Sequence, residues 1–170
     1  MKRQRGDNIT LIGMPGTGKS TAGVILAKVA GMEFLDSDLL IQKQEGKKLH
    51  QVIEESGVDG FLKVESRVLS SIEVQHTVIA TGGSAVYGKE AMFHLRDLGK
   101  VVYLRTSYRI LEKRLRNLKQ RGVVLRKGQT LRMLYEERAP LYSKYADVVI
   151  NQDEMDVEDT VAAIVKECGL

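Results

Sequence analysis

The stretch "GMPGTGKST", Gly13 to Thr21, follows the apolar run "ITLI" and leads into "AGVILAKVAG". A strand-length apolar run, a glycine-rich loop and a segment of helical period frame the pattern Gly13-x-x-x-x-Gly18-Lys19-Ser20. This is the full phosphate-binding loop signature in the strand-to-helix setting that the signature requires. The glycines let the backbone curl until successive N–H groups face inward at phosphate oxygens, and the following helix adds the positive end of its dipole. Lys19 is expected to reach the β and γ phosphates of a nucleoside triphosphate and Ser20 to offer its hydroxyl to Mg²⁺. Gly16, Thr17, Gly18 and Thr21 complete the expected nucleotide contacts.

Outward from this loop the chain alternates strand-like and helix-like segments, with no linker or low-complexity stretch between them. "MEFLDSD", "HTVIATGG", "KVVYLRT" and "DVVIN" read as further strands. "HQVIEESGVDGFLKVESRVLSSIEV" reads as two helices broken near Gly57 to Gly60, and "SYRILEKRLRNLKQ" as a basic helix followed by a loop, "RGVVLRKGQ". Strands apolar on both faces suit a parallel sheet covered by helices on each side, an α/β fold of three layers. Ligands of such a sheet bind beyond the carboxyl ends of its strands. Asp36 and Asp38 after the second strand, and Gly82, Gly83 and Ser84 after the third, therefore become candidate site residues. The spacing Asp36-x-Asp38 in an extended strand end would put both carboxylates on one side, one for the metal through water and one for an acceptor hydroxyl. Capping of the next helix is the structural alternative for both.

The 170 residues, 43% hydrophobic and 28% charged, fit one soluble domain. No window is apolar enough for a membrane span, and "MKRQRGDN" has no signal-peptide character, so a cytoplasmic protein is expected. The single cysteine, Cys168, excludes an intrachain disulfide, and His50, His76 and His94 form no ligand-spaced set. The net charge of +4 is unevenly spread. Arg105 to Arg132 holds ten Lys or Arg against Glu112 alone, and the remainder is net acidic. A solvated helix face or a polyanion site would account for this segment, and nucleotide phosphates fit it as well as nucleic acid does. Only Tyr103 and Tyr108 lie near these cations, which argues against a surface that stacks single-stranded bases.

Taken in order, "GMPGTGKST", "LDSD", "GFLKVES", "ATGGSAV", "VVYL" with Leu111-x-x-Arg114-Leu115, and "YEERAPLYSKYADVVI" resemble the shikimate kinase family across nearly the whole chain. The resemblance implies a five-stranded parallel sheet in order 2-3-1-4-5 and ATP-dependent phosphoryl transfer to a hydroxyl of a small anionic metabolite, shikimate first. It also implies acceptor-binding helices over about 37–72 and an arginine-bearing lid over about 118–128. Carried over by position, Lys19 and Ser20 match the phosphate lysine and the magnesium hydroxyl, Asp36 the aspartate that meets the metal through water, and Asp38 the one that binds the acceptor hydroxyl. Arg114 resembles the arginine beside adenine, Arg121 the lid arginine on the phosphates, and Arg138 one of two that grip the substrate carboxylate. ATP, Mg²⁺ and a small-molecule acceptor are the expected ligands of a monomer that binds neither nucleic acid nor membrane.

Three departures fall in the acceptor half. Where the family has F-R-x-x-E, this chain reads Phe61-Leu62-Lys63-Val64-Glu65, so a carboxylate-binding arginine is a leucine. Lys63 lies about 100° further round a helix and is no obvious replacement. Glu65 loses the partner the family would give it. A triple glycine becomes Gly82-Gly83-Ser84, adding a hydroxyl where backbone and substrate should approach, and the lid's R-P-L-L becomes "RGVVL". A shikimate-kinase-like enzyme for another hydroxyl acceptor, such as a hydroxy amino acid or sugar acid, and a nucleotide-binding regulator without catalysis are the alternatives these departures raise.

Overall fold

The computed structural model describes residues 5–116 and 123–170. Five strands, β1 (Asn8–Ile12), β2 (Glu33–Asp36), β3 (Thr77–Ala80), β4 (Gly99–Arg105) and β5 (Val148–Asn151), form one parallel sheet in the order β2-β3-β1-β4-β5. This is the order the resemblance implied. Leu11 and Asp36 both pair with Ala80. That register sets the carboxyl ends of β1, β2 and β3 level, so the segments leaving them start around one point.

Alternation along the strands divides the core in two. Ile9, Leu11, Val78, Val102 and Leu104 face α1 (Lys19–Ala30) and α7 (Val157–Cys168), where they meet Leu26, Val161 and Ile164. Ile12, Ile79, Val101 and Tyr103 point the other way, toward α3 (Leu49–Ser70), α4 (Lys89–Leu98), α5 (Tyr108–Arg114) and α6 (Leu131–Tyr145). Helices thus cover both sheet faces, as the doubly apolar strands require.

A third cluster, Ile41, Val52, Phe61, Val68 and Val124, joins α2 (Ser37–Glu45) to α3 and to the chain just before α6. The break expected near Gly57 to Gly60 is a kink inside α3 at Gly57, with φ 67° and ψ 179°. The basic helix expected over "SYRILEKRLRNLKQ" is shorter among the described residues. It ends at Arg114, capped by Leu115, whose apolar side chain turns into the core. Arg121 and the first part of the expected lid, 118–122, lie outside the described residues.

Candidate active site

The loop after β1 closes on Gly18, which sits in the left-handed region (φ 76°) as the cap of α1. A side chain there would be strained, and glycine lets the chain enter the helix directly from the turn. The first helical bond runs from the Ala22 N–H to the Gly18 carbonyl, so the amides of Lys19, Ser20 and Thr21 lie ahead of it. Lys19 is buried and folds back over the loop, its Nζ donating to the carbonyls of Gly13 and Met14 at 2.8 Å each. Burial lowers its pKa to about 8, against the pull of Asp38. An amine so placed can leave carbonyl dipoles for phosphate oxygens, which hold its charge far better.

Ser20 Oγ donates to Asp36 Oδ2 at 2.8 Å, and the other oxygen of Asp36 accepts from the Asp38 N–H at 2.9 Å. Asp36 therefore caps α2 and meets Ser20 at once. The extended Asp36-x-Asp38 arrangement expected from sequence is not observed. The strand stops at Asp36, and Asp38 stands in the first turn of α2. The cap bends the chain, sending Asp38 to the cavity while Asp36 stays beside the loop. Two hard oxygen donors, Ser20 Oγ and Asp36, are thereby brought together.

Beyond the loop lies a cavity of about 340 Å³ whose walls include Lys19, Ser20, Asp38, Glu65, Ser84 and Arg138. Gly16, Gly18, Thr21, Gly82 and Gly83 line it too, as do Phe61, Val123 and Val124. Phe61 both packs in the third cluster and lines the cavity. Gly82 passes between the two carboxylates: a Cβ on it would lie 3.0 Å from Asp38 Oδ1 and 2.8 Å from Glu65 Oε2. Burial raises the pKa of Asp38, and the Asp36 charge adds to the rise while Lys19 opposes it.

Thr17 turns its hydroxyl into the loop, onto the Met14 carbonyl at 2.9 Å. Arg114 stands apart from the acceptor cavity. Its Nη1 donates to the Gly16 carbonyl at 3.0 Å, and it lines a separate hollow with Thr17, Thr21, Gln152 and Met155 on the far side of the loop. The structure thus groups Lys19, Ser20, Asp36, Asp38, Gly82, Gly83, Ser84 and Arg138 and places Arg114 at the opposite side of the same loop.

Glu65, expected to lack the partner the family would give it, has another. Ser84 Oγ donates to Glu65 Oε1 at 2.5 Å, and both residues are buried. The serine that departs from the family pattern thus gives Glu65 a hydrogen-bond donor. Leu62 is half-buried in a small hollow with Tyr87, Val124, Arg126 and Arg138, whereas Lys63 is exposed on another face. Signals for two of these residues were present. Glu65 is a lone acid in the buried stripe Val52, Phe61, Val68, and Tyr142, whose hydroxyl donates to the Gly83 carbonyl at 2.5 Å, lies one helical turn beyond Arg138.

Among the described residues, Oε2 of Glu65 is buried without a hydrogen-bond partner, and burial lifts the carboxyl to about 7 against the opposing Ser84 hydrogen bond. Because the folded-state pKa lies above the ordinary 4.5, the folded protein holds the extra proton between those values. Stability from this group is greatest at low pH and declines as pH rises toward 7. Glu65→Gln keeps an acceptor for Ser84 and removes the charge. It is expected to raise the melting temperature by roughly 5 °C at pH 8 and by much less at pH 5. An equal change at both pH values, or a loss at pH 8, would contradict this.

Residues 15–169 match the family model described as shikimate kinase. A shikimate kinase of Francisella tularensis subsp. holarctica is 41% identical over 166 residues, covering 94% of this chain and 93% of that protein. One from Actinobacillus pleuropneumoniae serotype 5b is 35% identical over 162 residues, covering 94% of each. The solved shikimate kinase of Acinetobacter baumannii in complex with shikimate superposes with a TM-score of 0.85 at 33% identity, covering 97% of this chain and 93% of that one. With the loop, the sheet order and the clustered side chains all in place, the chain belongs to the shikimate kinase family.

Proposed function

We propose that this chain transfers the γ-phosphoryl group of ATP to a hydroxyl of shikimate, releasing ADP. The observation that carries the reading is the single cavity in which Lys19 and Ser20 of the phosphate-binding loop face Asp38 and a buried arginine, Arg138. A donor half and an acceptor half meet in that cavity. The Acinetobacter baumannii relative, solved with shikimate, supports the choice of acceptor.

In this account the triphosphate lies along the loop, with Lys19 Nζ exchanging the Gly13 and Met14 carbonyls for phosphate oxygens. Ser20 and Asp36 would hold Mg²⁺, whose oxygen-rich, partly hydrated coordination their paired oxygens fit. That ion, when bound, supplies neutralisation of charge on the β and γ phosphates. Asp38 accepts a hydrogen bond from the reacting hydroxyl and takes its proton as the new O–P bond forms and the bond from the γ phosphorus to the β-bridging oxygen breaks. Arg138 meets the carboxylate of the acceptor and fixes which hydroxyl reaches Asp38. Closing the cavity keeps water from competing with the hydroxyl.

Leu62 and Ser84 favour one further outcome, a different hydroxy acid as acceptor. Initial rates of ADP release with Mg·ATP and a panel of shikimate, hydroxy amino acids and sugar acids separate the two. Shikimate is expected to give the highest kcat/KM. Turnover of another member with none for shikimate overturns the assignment of the acceptor, and ATP binding with no acceptor-dependent ADP overturns the assignment as a kinase.

A further inference from the structure

Arg138 is buried with its guanidinium held on two of its three nitrogens. Nε donates to the Tyr87 hydroxyl at 3.3 Å, and Nη2 donates to the Val124 carbonyl at 3.3 Å. The guanidinium carbon also stands 5.3 Å from the centre of the Tyr87 ring, within reach of a cation–π attraction. Nη1 lies at the cavity wall beside Gly83, where a Cβ on the glycine would come within 3.0 Å of it.

Tyr87 can accept from Nε in one orientation of its hydroxyl, because its own proton is committed. It donates to Glu137 Oε1 at 2.5 Å. Burial and the bond to Glu137 raise the phenol's pKa, so it stays a donor to that carboxylate at any assay pH near neutrality. Tyr87 belongs to the short 3-10 turn Ala85–Tyr87 that directly follows Gly82-Gly83-Ser84. One piece of backbone therefore shapes the acceptor wall and sets the arginine that faces it.

We infer that Tyr87 is a positioning residue for the acceptor, fixing the Arg138 guanidinium from ring face and Nε edge so that Nη1 is the nitrogen presented to the acceptor's carboxylate. The inference rests on the acceptor reading above. It predicts that contact with the carboxylate depends on a residue that does not touch the acceptor. Among the described residues, no group other than Tyr87 hydrogen-bonds the Nε edge.

The test uses the full chain with Tyr87→Phe, Tyr87→Leu and each change repeated in an Arg138→Ala background. Tyr87→Phe is expected to raise the KM of the hydroxy acid acceptor about tenfold, as loss of a hydrogen bond to a charged group should, with kcat and the KM of ATP within about twofold of wild type. Tyr87→Leu, which also removes the ring, should raise it further. In the Arg138→Ala background neither change should add to the effect, which a purely structural role for Tyr87 would not produce. An unchanged acceptor KM in Tyr87→Phe, a parallel worsening of kcat and the KM of ATP, or a full effect that persists without Arg138 would overturn the inference. Wild-type turnover of shikimate, measured first, judges the acceptor reading separately. The Tyr87 ratios are then taken with whichever hydroxy acid the wild type phosphorylates.

Discussion

Lys19→Met is expected to lower kcat by about 10³-fold and to weaken ATP binding at the same time. Methionine keeps the length and fills the same space, so what is lost is the charge. In the folded protein that charge is buried and rests on the carbonyls of Gly13 and Met14 and, at 3.4 Å, on the Thr17 hydroxyl, and burial has already lowered the lysine to about 8. Placed against a triphosphate in a site shielded from solvent, an ammonium stabilises the extra charge of the transition state more strongly than it could in water, and loss of one such donor typically costs 10²- to 10³-fold in rate, roughly. The same pKa gives the prediction a second arm. Burial holds down the lysine's affinity for the proton in the free protein, and polyphosphate raises it. ATP binding at pH 8 should therefore take up a fraction of a proton, visible in calorimetry as a heat that changes with the ionisation enthalpy of the buffer. The Lys19→Met protein should show no such dependence. A variant within tenfold of wild type in kcat, or binding heats independent of buffer in the wild type, would contradict the role assigned to the lysine.

Asp38→Asn should cost a similar factor, about 10²- to 10⁴-fold in kcat, with the KM of ATP little altered. Asparagine retains the shape and can still hydrogen-bond the acceptor hydroxyl, but it cannot take the proton. Burial and the neighbouring Asp36 hold the Asp38 pKa above that of an ordinary aspartate, which makes its carboxylate a better base. The sign follows from the required form. Activity needs the ionised carboxylate, so kcat/KM of the wild type should fall as pH drops through an apparent pKa displaced upward from the usual aspartate range. That acid limb should be missing from the residual activity of Asp38→Asn. If the variant kept the acid limb, the limb would belong to another group, and Glu65, lifted to about 7 in the same cavity, would be the next to test.

Much of the donor half can be read directly from the residues, because its geometry is set by the backbone over a short span. Nine consecutive residues from Gly13 to Thr21 carry the loop, and neighbouring strands with level ends bring Asp36 and Gly82 to it. The acceptor half depends on contacts between residues far apart in sequence, and there the reading was partial. That Ser84 serves Glu65 is a contact across 19 positions, and that Tyr87 serves Arg138 is one across 51. A residue-by-residue comparison with a family pattern registers Leu62 and Ser84 as two losses. In the folded chain Ser84 instead gives the buried Glu65 a hydrogen-bond donor. The misjudged orientation of Asp36 and Asp38 has a local cause: a two-residue period holds only while the strand lasts, and a capping aspartate ends it.

The most direct test follows the label from γ-labelled ATP, incubated with Mg²⁺, shikimate and the wild-type protein and resolved by product. The label is expected in a phosphate monoester of shikimate, formed in step with ADP, and absent when Lys19→Met replaces the wild type. Label recovered only in inorganic phosphate or left in ATP, with shikimate unmodified, would contradict phosphoryl transfer to that hydroxyl.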